Sequence, residues 1–452
     1  MSTTAERPTT PRTPPGPGRR GSLRLIRERR RDPLGMFERL RDEHGPVVGF
    51  RVGPLDMYLV TEPDLVQEVF TTHAARVRKG RILQGARVIL GDGLLTAEGE
   101  HHRRQRRLIQ PAFHRERLDG YARIMSRRAA EAADGWTDGE VIDVFSEMSA
   151  LTMGIVGETL FGTELGNEFG RVEEALVDVF RAFDMLVLPF AGLRMRMPTR
   201  TVRRFAAAKA DLERIVDGVI AERRADGRER GDLLSMLLAA QDADDGAGMT
   251  DDEVRHEVMT LFAAGLETTA NALTFTWHLL ARHPEAERRL HAEAAALDAE
   301  PAGLDDLPRV PFAQMVLQES LRLYPPAWMI ARRCVEGFPL GDYAIPEGGL
   351  VMMPPYLLHR DPRLWHEPGR FDPDRWSEGG GAPPHRYSYL PFGAGTRKCI
   401  GATFASVEGA LLLVAIARRV RLEALSYEPL ELRPQITLRP RDGVPMRVRV
   451  RS

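Results

Sequence analysis

Residues 389–401 read YLPFGAGTRKCIG, and the chemistry of this stretch decides the fold. One of only two cysteines in the chain, Cys399, sits among Gly393, Gly395 and Gly401, beside Arg397 and Lys398. Glycine admits backbone conformations closed to other residues and lets the main chain approach a bulky object closely. The residues that follow, ATFASVEGALLLVAIA, carry a helical pattern. Cys399 therefore lies just before a helix N-terminus, where peptide dipoles and N–H groups favour a thiolate. Taken alone, a cysteine in a turn is equally a small buried hydrophobe.

Working outward, residues 324–391 form a long Pro- and Gly-containing stretch with short strand patterns such as GLVMMPP. Helices are read at 103–113, 202–224, 285–297, 312–323 and 402–420. The clearest helix begins at Thr250, which with Glu253 forms a capping box, and runs through DDEVRHEVMTLFAAGLETTANALTFTWHLLAR until His283 and Pro284 stop it. About thirty residues span roughly 45 Å, enough to cross a whole domain. The run PVVGFRVGPLDMYLVTEP, residues 46–63, reads as a hairpin turning at Gly53 and Pro54. The pattern predicts a mainly α protein with a small β component.

The chain has 452 residues, with 63 Lys plus Arg against 64 Asp plus Glu. That balance argues against a nucleic-acid binder held by phosphate contacts. Lys79, Lys209 and Lys398 are the only lysines. Cys334 and Cys399 allow at most one disulfide, so a reducing cytoplasm is the expected location. Residues 1–35, rich in Pro and Arg, lack an apolar run long enough for a signal peptide or membrane span. Their proline density predicts a flexible segment without helix or strand, followed by a single domain over 36–452.

Phe392, the three glycines, Arg397 and Cys399 at these offsets resemble the haem-binding loop of the cytochrome P450 family. The resemblance implies the cytochrome P450 fold, mainly α with a small β subdomain, and haem b with the Cys399 thiolate as axial iron ligand. It further implies that Arg397 pairs with a haem propionate and that Phe392 packs beside the proximal ligand. Three more phrases match. ESLR places Glu319 and Arg322 at i, i+3, and FDPDRW offers Arg375 as their partner in a structural, non-catalytic knot. AAGLETT matches the family's oxygen-binding helix. There Gly265 would open a groove, Thr268 would hold bound oxygen and Glu267 would pass protons inward, although a threonine bonded back to its own helix is equally ordinary. Thr269 reads as packing. HHRRQRRLIQPAF places His102 and Arg106 at i, i+4 as propionate contacts, with His102 where many relatives have Trp. Arg103, Arg104 and Arg107 read as a solvated basic face that, with Lys398, would attract an acidic electron donor. Arg332 is a further propionate candidate, and Cys334 beside it reads as packed. The matching phrases run from residue 46 to 440.

The implied activity is insertion of one atom of O2 into an apolar small molecule, with electrons from NAD(P)H delivered by a ferredoxin and its reductase. A haem sensor without turnover and a peroxide-driven hydroxylase or isomerase are the rival classes; the complete Gly265, Glu267 and Thr268 set speaks against both. The segments 80–93, 180–195, 327–331 and 436–438 would line the pocket and are largely apolar. HRRQRRLIQPAF and ITLRP look like phrases of actinobacterial sesquiterpene-oxidising enzymes, which makes a terpene the expected substrate, with fatty acid or macrolide hydroxylation as alternatives. Arg194 and Arg196 would hold a carboxylate or face water.

Overall fold

The computed structural model describes residues 12–162, 175, 194, 196–228, 230–242, 246–298, 302–381, 383 and 385–451. The chain forms two compact units that interleave along the sequence. The first comprises residues 1–81, 327–370 and 381–399, and the second 82–326, 371–380 and 400–452.

The first unit is built on a five-stranded sheet. Strands β1 (Val47–Val52) and β2 (Leu55–Val60) form the expected hairpin. Val52 pairs with Leu55 across Gly53, whose φ of 59° only glycine takes without strain. Strands β3 (Val77–Lys79), β4 (Ile330–Cys334) and β5 (Leu350–Met353) complete the order β1-β2-β5-β4-β3, with β2 and β5 parallel. Val47, Val60, Cys334, Val351 and Met353 join one apolar core with Val66, Phe70 and Leu390.

The N-terminal expectation is corrected here. Gly18–Arg31 is a helix, although Pro14, Pro15 and Pro17 lie just before it. Past Pro17 the sequence is mostly Arg, Leu and Glu, which are good helix formers, and Leu25 is buried. Arg24 and Arg39 hydrogen-bond the Glu28 carboxylate, and the Arg39 bond chiefly holds it below its usual range. Pro33 does not break a helix either. It is the first residue of Pro33–His44, whose Asp32 cap accepts from Gly35 N–H at 2.9 Å. The boundary expected at residue 35 thus falls inside a helix.

The second unit is helical around Asp251–Arg282. Thr250 and Glu253 make the predicted capping box, with Thr250 N–H to the Glu253 carboxylate at 2.9 Å and Glu253 N–H to Thr250 Oγ1 at 3.2 Å. Every residue from 269 to 280 is buried, as a helix through a core requires. Thr274 and Thr276 survive there because their hydroxyls donate to the Ala270 and Ala272 carbonyls, each at 2.7 Å. Gly99–Ile109, Arg200–Asp226, Pro284–Ala295, Pro311–Leu323 and Ala402–Arg419 match the other predicted helices within a few residues. Two long helices were not read from the sequence, Arg115–Asp134 and Val144–Phe161. The second is apolar nearly all round and lacks the stripe that periodicity detects. It packs against Asp251–Arg282, where the Thr152 hydroxyl reaches Leu266 O at 3.3 Å.

Candidate functional site

In the first unit, the 389–401 loop is shaped by glycine and seated on two residues that no sequence pattern marked. Gly393 and Gly395 both have φ of 66°. A Cβ on Gly395 would stand 2.7 Å from the Phe70 carbonyl oxygen, so the loop lies against the end of the Pro63–Phe70 helix as only glycine permits. His359, wholly buried, accepts from Leu390 N–H through Nε2 at 2.8 Å. Inside the loop Cys399 N–H donates to Phe392 O at 2.9 Å and Lys398 N–H to Gly395 O at 3.1 Å. Phe392 is half-buried and contributes its carbonyl to the turn.

The two cysteines separate cleanly. Cys334 is buried, its Sγ donates to Glu336 O at 3.0 Å, and burial pushes its thiol up. Cys399 is exposed, so it presents the accessible thiol. Arg332, on β4, lies 5.4 Å from the centroid of the Phe70 ring and is half-buried, as is Arg397. Lys398 is exposed. An accessible thiol in a glycine-shaped loop, with half-buried guanidinium groups in the same unit, is a donor set that fits a haem held by one thiolate and paired at its propionates.

In the second unit, Gly99–Ile109 places His102, buried, and Arg106, half-buried, one turn apart. Of its other arginines, Arg103 and Arg107 are exposed as the solvated-face reading expects, Arg104 is partly buried, and all three are ion-paired. Arg104 Nη1 reaches Glu253 at 2.9 Å, Arg107 Nη2 reaches Asp242 at 3.0 Å, and Arg103 pairs with Glu100. Asp242 is nearly inaccessible, so the Arg104 and Arg107 pairs tie the helix to its neighbours, whereas Arg103–Glu100 is an exposed pair within the helix.

On Asp251–Arg282, the Thr268 hydroxyl donates to Ala264 O at 2.6 Å, the ordinary back-bond of a helical threonine. The helix is continuous through Gly265, which accommodates Val156: an added Cβ would lie 3.1 Å from Val156 Cγ2. Glu267 is engaged through Oε1, which accepts from Thr437 Oγ1 at 2.6 Å and lies 3.9 Å from Arg439. Thr269 is buried as expected, and its neighbour is Glu408, a fully buried carboxyl that burial pushes up to about 8.

Of the segments expected to line a pocket, 80–93 is partly core, since Ala86, Ile89 and Leu90 are buried. Gly91 and Gly93 bring its backbone against the Asp251–Arg282 helix, where Cβ atoms would collide with the His256 ring and Thr260 Oγ1. Trp328 in 327–331 packs against Phe37 with ring centroids 6.3 Å apart. In 436–438, Leu438 is buried and Ile436 half-buried. Residues 180–193 and 195 lie outside the described residues; Arg194 and Arg196 are exposed.

The Glu319 knot is built as expected and is deeply buried. Glu319 and Arg322 are fully inaccessible and doubly bonded at 2.7 and 2.8 Å. Arg375 Nε, Asp372 N–H and Trp376 Nε1 also donate to the same carboxylate, at 3.4, 3.1 and 3.0 Å. No surface ion pair looks like this, and none of these groups is free for chemistry.

A haem-thiolate protein is what the loop and helices describe, and the sequence comparison supports it over nearly the whole length: the family model for cytochrome P450 matches residues 11–444. The chain belongs to the cytochrome P450 family and is a monooxygenase of that family. It is 41% identical to cyclooctatin synthase of Streptomyces melanosporofaciens, over 90% of this chain and 89% of that one. It is 37% identical to pentalenene oxygenase of Streptomyces avermitilis, over 90% and 94%. The crystal structure of the cytochrome P450DA heme domain is similar with a TM-score of 0.85, at 28% identity and 98% coverage of both chains. The family implies a haem-thiolate cofactor, O2 and an apolar substrate. Among the described residues no helix is long and apolar enough to cross a membrane.

Proposed function

We propose that this chain is a cytoplasmic terpene monooxygenase that holds haem b through Cys399 and draws electrons from NAD(P)H by way of a ferredoxin and its reductase. The observation that carries the proposal is the accessible Cys399 thiol in its glycine-shaped loop, in a chain matched by the family model over residues 11–444. The bound haem supplies activation of O2, one atom going to product and the other to water.

The chain's own residues divide the remaining work. Cys399 holds the iron as a thiolate, and the loop hydrogen bond from its N–H to Phe392 fixes its backbone. Arg397, Arg332, His102 and Arg106 pair with the propionates. Glu267, a partly exposed carboxylate, takes protons from solvent, and the hydroxyl of Thr268 hands them on once it turns from Ala264 O. The back-bond is the resting position of that hydroxyl, and one rotation about χ1 frees it. Gly265 keeps the helix free of a side chain one turn before Thr269.

The substrate class rests on the relatives' names, cyclooctatin synthase, cyclooctat-9-en-7-ol 5-monooxygenase and pentalenene oxygenase. A cyclic terpene, as hydrocarbon or alcohol, is the class they share, and pentalenene is the sesquiterpene among them. The exposure of Arg194 and Arg196 favours this over a fatty acid, whose carboxylate would need a sheltered cation.

The deciding experiment is the reduced, carbon monoxide-treated Soret spectrum of wild type and C399S. A strongly red-shifted band in wild type, absent in C399S, is expected. An unshifted band in wild type overturns thiolate ligation. NADPH-dependent hydroxylation of pentalenene with a ferredoxin and reductase then separates a monooxygenase from a sensor or a peroxide-driven enzyme.

A further inference from the structure

Glu267 lies in the middle of its helix, but the hydroxyl it bonds belongs to a turn near the C-terminus. Strands Leu432–Pro434 and Leu438–Pro440 form a short antiparallel hairpin in which Pro434 pairs with Leu438. Its turn is fixed from three sides. Gln435 N–H donates to Thr437 O at 3.0 Å, Arg439 Nη2 donates to Gln435 Oε1 at 2.5 Å, and buried Leu438 donates its N–H to Pro326 O at 2.9 Å. Thr437, itself buried, projects its hydroxyl from this frame to Glu267 Oε1 at 2.6 Å. That length belongs to a charge-assisted O–H···O⁻ bond. Arg439, partly exposed, stands 3.9 Å from the same oxygen.

We propose that Thr437 is a positioning residue for proton delivery, anchoring the Glu267 carboxylate through the Leu432–Pro440 hairpin, with Arg439 as the nearby positive charge. The inference rests on the reading of Glu267 as the proton relay and adds the group that holds it. A glutamate on a helix has three rotatable bonds, and a relay works only while its carboxyl stays within reach of the hydroxyl it serves. The Thr437 bond removes most of that freedom and leaves the second oxygen, Oε2, as the face that exchanges protons. The chemistry fixes what a loose relay does. A coupled turnover combines substrate, O2, two electrons and two protons into hydroxylated product and water. If proton delivery is slow, the same two electrons and two protons would leave with both oxygen atoms as hydrogen peroxide, and the substrate would be released unchanged.

The test compares haem-loaded wild type, T437V, T437S, E267Q and T437V/E267Q, all with the red-shifted carbon monoxide band. The first readout is the share of NADPH electrons recovered as peroxide with pentalenene as the added terpene, which is measurable whether or not pentalenene is hydroxylated. T437V is expected to raise the peroxide-to-water ratio about ten-fold, T437S to restore it, and the double variant to match E267Q alone. The second readout is the unfolding equilibrium of wild type, T437V, E267A and T437V/E267A, with alanine in place of glutamine because a glutamine oxygen would still accept from Thr437. If the anchor exists, the effects of the single variants fail to multiply by about ten-fold in the folding constant. Multiplying effects overturn the anchor. Coupled unfolding with an unchanged peroxide share in T437V, while E267Q raises it, reduces Thr437 to a packing role and overturns this inference alone. An unchanged share in E267Q overturns the relay reading and this inference together. If T437V does not fold, T437A replaces it in both readouts.

Discussion

At Gly395 a side chain has nowhere to go. The φ of 66° and the Phe70 carbonyl 2.7 Å from the missing Cβ both forbid it. G395A is expected to cost about 1–3 kcal/mol locally and to lower haem retention, read as the ratio of Soret to protein absorbance. Two buried titratable residues give a pH signature. Glu408 titrates at about 8 because burial disfavours its charge, and His278 is lowered to about 4, chiefly by burial and then by Arg282 and His283. Glu408 stays protonated in the folded protein while the unfolded chain has lost that proton, so its contribution falls as pH rises towards about 8. His278 works in the opposite sense, and its contribution falls as pH drops from its ordinary value towards about 4. Of these two groups, Glu408 is the one whose contribution changes from near-neutral pH to about 8. E408Q should flatten the stability profile there by roughly 1 kcal/mol per pH unit, measured by urea unfolding at stepped pH. The legibility of single residues followed their chemistry. Cys399, Arg397 and the Glu319 trio stood out because charge, sulfur and glycine keep fixed offsets in sequence. Phe70 and His359 did not, because each acts through one atom on a distant segment, and the sequence holds no local sign of that.

At the scale of elements, the knot around Glu319 ties the Pro311–Leu323 helix to the 372–376 turn inside the second unit. E319Q leaves Arg322 buried with an uncompensated charge and is expected to cost about 3–5 kcal/mol, read as a lowered urea midpoint. T250A removes the hydroxyl that accepts from Glu253 N–H and should cost about 1 kcal/mol. The Asp251–Arg282 helix was legible because its start and stop are chemical signals, a capping box and a proline. Val144–Phe161 was not legible, because its apolar residues run nearly all round the helix and give little periodicity, and its Asp143 cap, bonded to Ser146 N–H at 3.2 Å, is a weaker mark. Arg104, and Arg107 in part, were misread for a related reason. Their partners, Asp242 and Glu253, lie far along the chain, and sequence adjacency suggested solvent where folding supplied carboxylates.

For the whole molecule, composition and motif order made the family legible, but not the route of the chain through its two units. Each unit gathers three separate segments, so no single cut yields either one intact. A fragment of residues 82–326 is expected to express without cooperative unfolding, since it lacks Ala402–Arg419, which packs against Arg115–Asp134 and Pro284–Ala295. Removing residues 1–31 takes away Leu25 and the partner of Arg39, and should lower the melting temperature by several degrees in a thermal scan.

The seat at Phe70 has a consequence in time. A ribosome adds about 5–20 residues per second, so the Pro63–Phe70 segment is made roughly tens of seconds before Gly395 and Cys399. During that interval the nascent chain holds the seat without its loop. Cys399, proposed above as the thiolate ligand, is made after the residue its loop rests on, so a cofactor held through it is captured only once the Phe70 seat has been synthesised.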